Sequence, residues 1–181
     1  MSDERFNNLY RIPSARAKWH DYYGGLYFVT ICTQNREHYF GEIQDGMMNL
    51  TAIGKCLEEA IIKTPEMRAD MNLEIPLYVI MPNHVHLIVV IGNNEYNRRD
   101  AMHCVSMGQS LNKFAPQSKN LSSIIRGIKI STTMYARKHN IPFMWQTRFH
   151  DRIIRSTEEL NAIADYIEKN VAKWEYDKFY A

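Results

Sequence analysis

The stretch "LEIPLYVIMPNHVHLIVVI", residues 73 to 91, constrains this chain more than any other. Two β-branched, apolar runs are separated only by Pro82-Asn83, a pairing of turn residues that predicts two antiparallel strands. The second run opens with two imidazoles, His84 and His86. In a strand, residues i and i+2 share a face, so these two point one way while Val85 and Leu87 point the other. Their Cα atoms then lie about 6.6 Å apart, close enough to converge on one divalent ion. Burying an imidazole without a partner costs a few kcal/mol as an order of magnitude, so something must compensate. A metal would, and so would carboxylates or carbonyls around two core histidines. Two histidines also leave an ion short of ligands.

The rest of the chain supplies a frame. "LYFVTICT" (26–33) follows Gly24-Gly25 and reads as a strand, and "HYFGEIQDGMMNLT" as a hairpin turning at Asp45-Gly46. Thr51 opens a helix to about Lys63, ended by Pro65. A second helix runs from about Leu121 to His139, and "PFMWQTRFHDRIIR" looks extended. Ser156 and Glu159 have the spacing of a capping box and start a last helix reaching about Trp174. This order predicts an α+β fold, a ferredoxin-like (RRM-like) antiparallel sheet with helices packed on it. At 181 residues the chain fits one domain, 1–181. The polar, aperiodic stretch 92–120 is expected to be a mobile insertion in it.

The apolar runs are much shorter than the roughly 20 residues of a membrane span, and "MSDERFNNLYRIP" has no apolar signal core. A cytoplasmic protein is expected. Cys32, Cys56 and Cys104 are odd in number and far apart, which predicts reduced packing thiols. Net charge is only +2, but its distribution is uneven. Between Asn120 and Arg155 seven basic residues face one acid, Asp151, whereas Thr51–Glu74 carries three bases and five acids. Such a local surplus marks a surface for phosphates, unless it is merely a solvated helix face.

In "ELNAIADYIEKNVAKW" the apolar face is Leu160, Ile163, Ala164, Ile167, Val171 and Trp174. On a helical wheel Tyr166 lies about 120° from the centre of that face and Asn170 about 80° on the same side. One turn apart, a hydroxyl and an amide carbonyl can reach the same ion or phosphate; the alternative is an amphipathic tyrosine at a rim.

Three motifs in this order resemble a known family. "MPNHVHLI", "MWQTRFHDRIIR" and "EELNAIADYIEKNV" are similar to the single-tyrosine HUH transposases, and among them to the bacterial REP-associated tyrosine transposases. The resemblance runs from about Trp19 to Asp177. It departs at Val171, where the family usually has Pro. The resemblance implies that Tyr166 is the nucleophile and that His84, His86 and Asn170 hold a divalent metal, Mg²⁺ or Mn²⁺. It implies a substrate of single-stranded DNA beside a hairpin, such as a REP-like sequence or an element end. A cytoplasmic, nucleoid-associated protein follows, acting as a monomer or homodimer with no membrane partner.

The expected chemistry is a metal-dependent endonuclease and strand transfer through a 5′-phosphotyrosine. No Walker-type loop is present, in keeping with a bond conserved in the protein adduct. Arg126, Lys129, Trp145, Arg148, Arg152 and Arg155 are the expected DNA-binding residues. Trp19, Tyr22, Tyr23 and Phe149 are further rings that either stack on bases or pack in the core. Tyr135 is the rival nucleophile, although it shares a stripe with Ile124 and Ile128. Two other readings keep part of this pattern: a phosphodiesterase using water, and a non-catalytic RRM-like nucleic-acid binder.

Overall fold

A computed structural model describes residues 22–97 and 118–180. Trp19, Cys104 and most of the 92–120 segment lie outside the described residues. Among the described residues, six strands and three α-helices follow one another as β1 (Gly25–Cys32), β2 (Gly41–Gln44), β3 (Met47–Leu50), α1 (Ala52–Met67), β4 (Leu73–Met81), β5 (His84–Ile91), α2 (Leu121–Lys138), β6 (His150–Ile153) and α3 (Thr157–Lys169). Four strands form one antiparallel sheet in the order β4-β5-β1-β6. With α1 before β4 and α2 before β6, this is the ferredoxin-like arrangement expected from the sequence. β2 and β3 make a separate hairpin. Its turn is Asp45-Gly46, both at positive φ (51° and 72°), as a two-residue turn matched to strand twist requires.

The sheet separates two apolar layers. Tyr27, Val29, Ile31, Val85, Leu87 and Val89 point to one face, where they pack with Leu57 and Ile61 of α1 and Ile124 and Ile128 of α2. Ile88 points to the other face and packs against Ile163 and Ile167 of α3, with Phe28, Leu77 and Val79 around them. The two histidines belong to this second face. Alternation along β5 thus gives one strand a core side and a site side.

Local chemistry explains where the elements begin and end. Asn120 and Ser123 form a reciprocal capping box at α2, at 3.1 Å in each direction. At α3 only half of the expected box forms. Ser156 Oγ accepts from Glu159 N at 3.2 Å, while the Glu159 carboxylate turns to Arg155 N at 3.0 Å and to the Arg152 guanidinium at 2.6 Å. α3 ends at Lys169, and a 3-10 segment, Val171–Tyr176, carries the chain on to Trp174. Pro65 does not stop α1, which continues to Met67. In the last turn its missing N–H forfeits a single helical bond, a loss the turn tolerates. Pro76 sits in β4, an edge strand, beside a register shift between Glu74 and Leu77, as a residue without an amide donor demands.

The hairpin is locked to α1 by a close approach: a Cβ on Gly54 would lie 2.1 Å from the Phe40 carbonyl oxygen. Gly54→Ala should therefore destabilise the fold by about 1–3 kcal/mol in urea unfolding, despite alanine's better helix propensity. A neutral or stabilising result would contradict this packing.

Candidate active site

β5 and β1 place His86 directly beside Thr30, and His84 beside Cys32. Both histidines are buried, at 0% and 1% exposure. The His86 Nδ1 lies 2.8 Å from Thr30 Oγ1, and the His84 Nδ1 lies 2.8 Å from Asn83 Oδ1. Asn83 donates its amide to the carbonyls of Arg36 (3.2 Å) and Phe179 (2.9 Å), so its oxygen must face His84. His84 therefore carries its proton on Nδ1 and turns a lone pair outward on Nε2. That atom is 3.0 Å from the Nε2 of His86. Thr30 can either accept from or donate to His86, so His86 can point a second lone pair at the same spot or bridge the gap with its own proton.

Burial pushes both imidazoles from the usual 6.5 down to about 3, with Lys178 and Arg36 adding to the effect on His84 and the neighbouring His84 to that on His86. Both rings are neutral at physiological pH, the form in which imidazole binds metals.

α3 and the segment after it close the site from above. Tyr166, 39% exposed, brings its hydroxyl to 3.2 Å from His86 Nε2. Its ring meets Phe28 edge-on at 6.2 Å between centroids. Asn170, the residue that ends α3, is 3% exposed, and its Oδ1 is buried without a hydrogen-bond partner. A buried amide oxygen left unsatisfied costs about 1–3 kcal/mol, which a bound cation would offset. Two imidazole nitrogens and an amide oxygen are donor types that suit a divalent ion.

Asp177 joins the group, and nothing in the sequence reading pointed to it. Its Oδ2 accepts from the Tyr166 hydroxyl at 3.1 Å and from Asn170 Nδ2 at 3.2 Å. His84, His86 and Asp177 present ligand atoms within 4.8 Å of one another and could themselves hold a metal ion. Burial first, and then the Asp177 charge, push the Tyr166 phenol up to about 12. Phe179 packs on the His84 ring at 4.5 Å between centroids, and Trp174 lies 6.0 Å from it. No spacing rule links residue 177 to residue 84. The contact depends on the 3-10 segment folding back over the sheet.

A cleft of about 580 Å³ opens beside this group, lined by Phe28, Thr30, His86, His150, Arg152 and Lys178 among others. The structure brings Arg152 to this cleft, where it is paired with Glu159. It places other predicted DNA contacts elsewhere. Lys129 donates to the carbonyls of Gln146 (2.7 Å) and Arg148 (3.0 Å) and sits over the Trp145 ring, and with Arg126 it lines a separate groove along α2. Trp145 packs against Phe40 and Phe143 and donates its indole N–H to Lys129 O. Arg148 and Arg155 are exposed. Tyr22 is buried against Tyr27, and Phe149 packs at the edge of the main core. Tyr135 stacks on His139 at that core, on the opposite side of the sheet from the histidines.

No family model matches the chain. It is 33% identical over 173 residues to an uncharacterized protein of Haemophilus influenzae, covering 92% of each. It is 26% identical over 166 residues to the REP-associated tyrosine transposase of Escherichia coli K12, covering 87% of this chain and 78% of that protein. A solved structure of a REP-associated tyrosine transposase bound to a REP hairpin aligns with TM-score 0.57 and 25% identity, over 90% of this chain and 77% of that one.

The chain resembles the REP-associated tyrosine transposases in sequence and in fold. The resemblance first seen in three short motifs thus extends over nearly the whole length, and the ferredoxin-like sheet is common to the family member and to this chain. Among the described residues no helix is long and apolar enough to cross a membrane. Cys32 and Cys56 are free thiols, and burial pushes both above the usual thiol range.

The neutral histidines have a thermodynamic signature. A group whose folded pKa lies below its unfolded value stabilises the protein fully above the unfolded pKa, and that stability is lost as pH falls from 6.5 toward 3. Each imidazole contributes a slope of up to about 1.4 kcal/mol per pH unit in that window. Stability in urea should therefore fall between pH 6.5 and 5 by on the order of 2 kcal/mol for each histidine. A flat profile would mean that the imidazoles are solvated.

Proposed function

We propose that this chain is a DNA-processing enzyme, a metal-dependent single-stranded DNA endonuclease and strand transferase that works through Tyr166. The observation that carries the reading is the meeting of the Tyr166 hydroxyl with two buried, neutral imidazoles and the Asp177 carboxylate, whose ligand atom lies within 4.8 Å of theirs, with the Asn170 amide, its oxygen unsatisfied, hydrogen-bonded to that carboxylate. His84, His86 and Asn170 would hold Mg²⁺ or Mn²⁺. When bound, such an ion supplies positive charge that polarises a non-bridging phosphate oxygen and lowers the proton affinity of a nearby phenol.

The chain's own residues do the rest. Tyr166 sits at the mouth of the cleft, fixed by its contacts with His86 and Asp177, so that a phosphate in the cleft meets its oxygen first. The Tyr166 oxygen attacks phosphorus in line. A Tyr–O–P bond forms as the bond to the 3′-oxygen breaks, and that oxygen takes up a proton. A free 3′-hydroxyl attacking the same phosphorus reverses the exchange, so no nucleoside triphosphate is consumed. His150, Arg152 and Lys178 line the wall along which the strand would enter. Arg126, Lys129, Arg148 and Arg155 would extend phosphate contacts around the edge of the sheet toward the α2 groove. Hairpin-bearing single strands are the expected substrate, because the family member of known structure is bound to a REP hairpin. The whole chain, 1–181, would serve as a single cytoplasmic domain of this type.

A labelled single-stranded oligonucleotide carrying a hairpin, incubated with protein and Mn²⁺, should give a covalent adduct on a denaturing gel. Tyr166→Phe should abolish the adduct and lower cleavage by about 10³-fold or more, while Tyr135→Phe leaves both intact. Cleavage by Tyr166→Phe at the wild-type rate would transfer the nucleophile's role to water or another residue.

A further inference from the structure

We propose that Asp177 is a positioning residue of this site: its carboxylate sets which way the Asn170 amide faces and holds the Tyr166 hydroxyl beside it. This rests on the reading of Asn170 as a ligand.

The argument begins with hydrogen-bond capacity. An ionised carboxylate accepts and cannot donate. The group 3.2 Å from Asp177 Oδ2 must therefore be the NH₂ of Asn170, and the amide oxygen is turned away from it. That oxygen is buried and unsatisfied, in a residue 3% exposed. With the amide reversed, two acceptors would face each other and the NH₂ would occupy the place of the oxygen. A donor there cannot bind a cation. Asp177 thus decides whether residue 170 offers a lone pair or two protons.

The same Oδ2 accepts from the Tyr166 hydroxyl, so one atom aligns the two α3 residues that stand one turn apart. Asp177 is itself held. Its Oδ1 accepts from Phe179 N at 2.7 Å, and Asn83 donates to Phe179 O at 2.9 Å. Asn83 also accepts from His84. A closed circuit therefore runs from His84 through Asn83, Phe179 and Asp177 to Asn170 and Tyr166. Partners of this kind typically change metal affinity by about 10–100-fold when removed. The Asp177 charge itself raises the Tyr166 pKa, which works against phenolate formation, so its use at the phenol is geometric.

The test is a double-mutant cycle on the full chain, read by calorimetric binding of Mn²⁺ alone, with thermal unfolding as the folding control. Asn170→Ala and Asp177→Ala should each weaken Mn²⁺ binding by about 10–100-fold, and the double variant should be no weaker than Asn170→Ala. Asp177→Asn keeps an acceptor for the Asn170 NH₂ but turns its own NH₂ toward Phe179 N, so it should recover binding part of the way, clearly above Asp177→Ala. Additive losses in the double variant, or Asp177→Asn as weak as Asp177→Ala, would make Asp177 a direct ligand and overturn the proposal. So would wild-type binding by Asp177→Ala where Asn170→Ala is weakened. If Asn170→Ala itself binds Mn²⁺ as wild type does, it is the ligand assignment that fails, and the positioning role falls with it.

Discussion

Two imidazole nitrogens 3.0 Å apart in a buried pocket are the constraint on which the rest of the site depends. If both present lone pairs, they repel unless a positive charge lies between them. If one carries a proton, it must donate to the other. Asn83 removes half of this freedom, since its amide fixes the His84 proton on Nδ1. Thr30 leaves His86 able to adopt either state. The pocket is thus built so that a cation or a proton completes it, and burial keeps the rings from supplying charge themselves.

The sheet makes such a pocket affordable. Alternation along β5 sends Val85, Leu87 and Val89 into the large core under α1 and α2, so the strand is anchored without any help from the histidines. The opposite face is covered only partly. α3 packs on it through Ile163 and Ile167, and the cleft beside α3 stays open. A strand buried on one side and half-covered on the other can carry polar groups that a fully packed sheet would reject. The closing helix then delivers Tyr166 from its border, part exposed, while Asn170 ends that helix in full burial.

Much of this frame was legible in local pattern. The apolar runs around Pro82-Asn83, the Asp45-Gly46 turn and the alternation that pairs His84 with His86 all follow from rules of period two and turn chemistry. The one-turn spacing of Tyr166 and Asn170 was legible too. What local pattern could not give was tertiary. Pro65 reads as a stop, yet it falls in a last turn where its cost is small. Glu159 reads as a capping partner of Ser156, yet Arg152 and Arg155 compete for it. Asn83 reads as a turn residue, and only the fold shows it buried against His84. No local pattern singles out Asp177. It enters the site because the 3-10 segment anchored by Trp174 turns the chain back over the histidines.

The central claim is that the two Nε2 atoms and the Asn170 oxygen surround one cation. Anomalous diffraction from a crystal equilibrated with Mn²⁺ tests it most directly. The account predicts a single strong peak about 2.2 Å from the Nε2 atoms of His84 and His86 and from Asn170 Oδ1, in the range of metal–imidazole and metal–carbonyl bonds. No peak there, with the His86 ring in hydrogen-bond contact with His84 at saturating Mn²⁺, would contradict it.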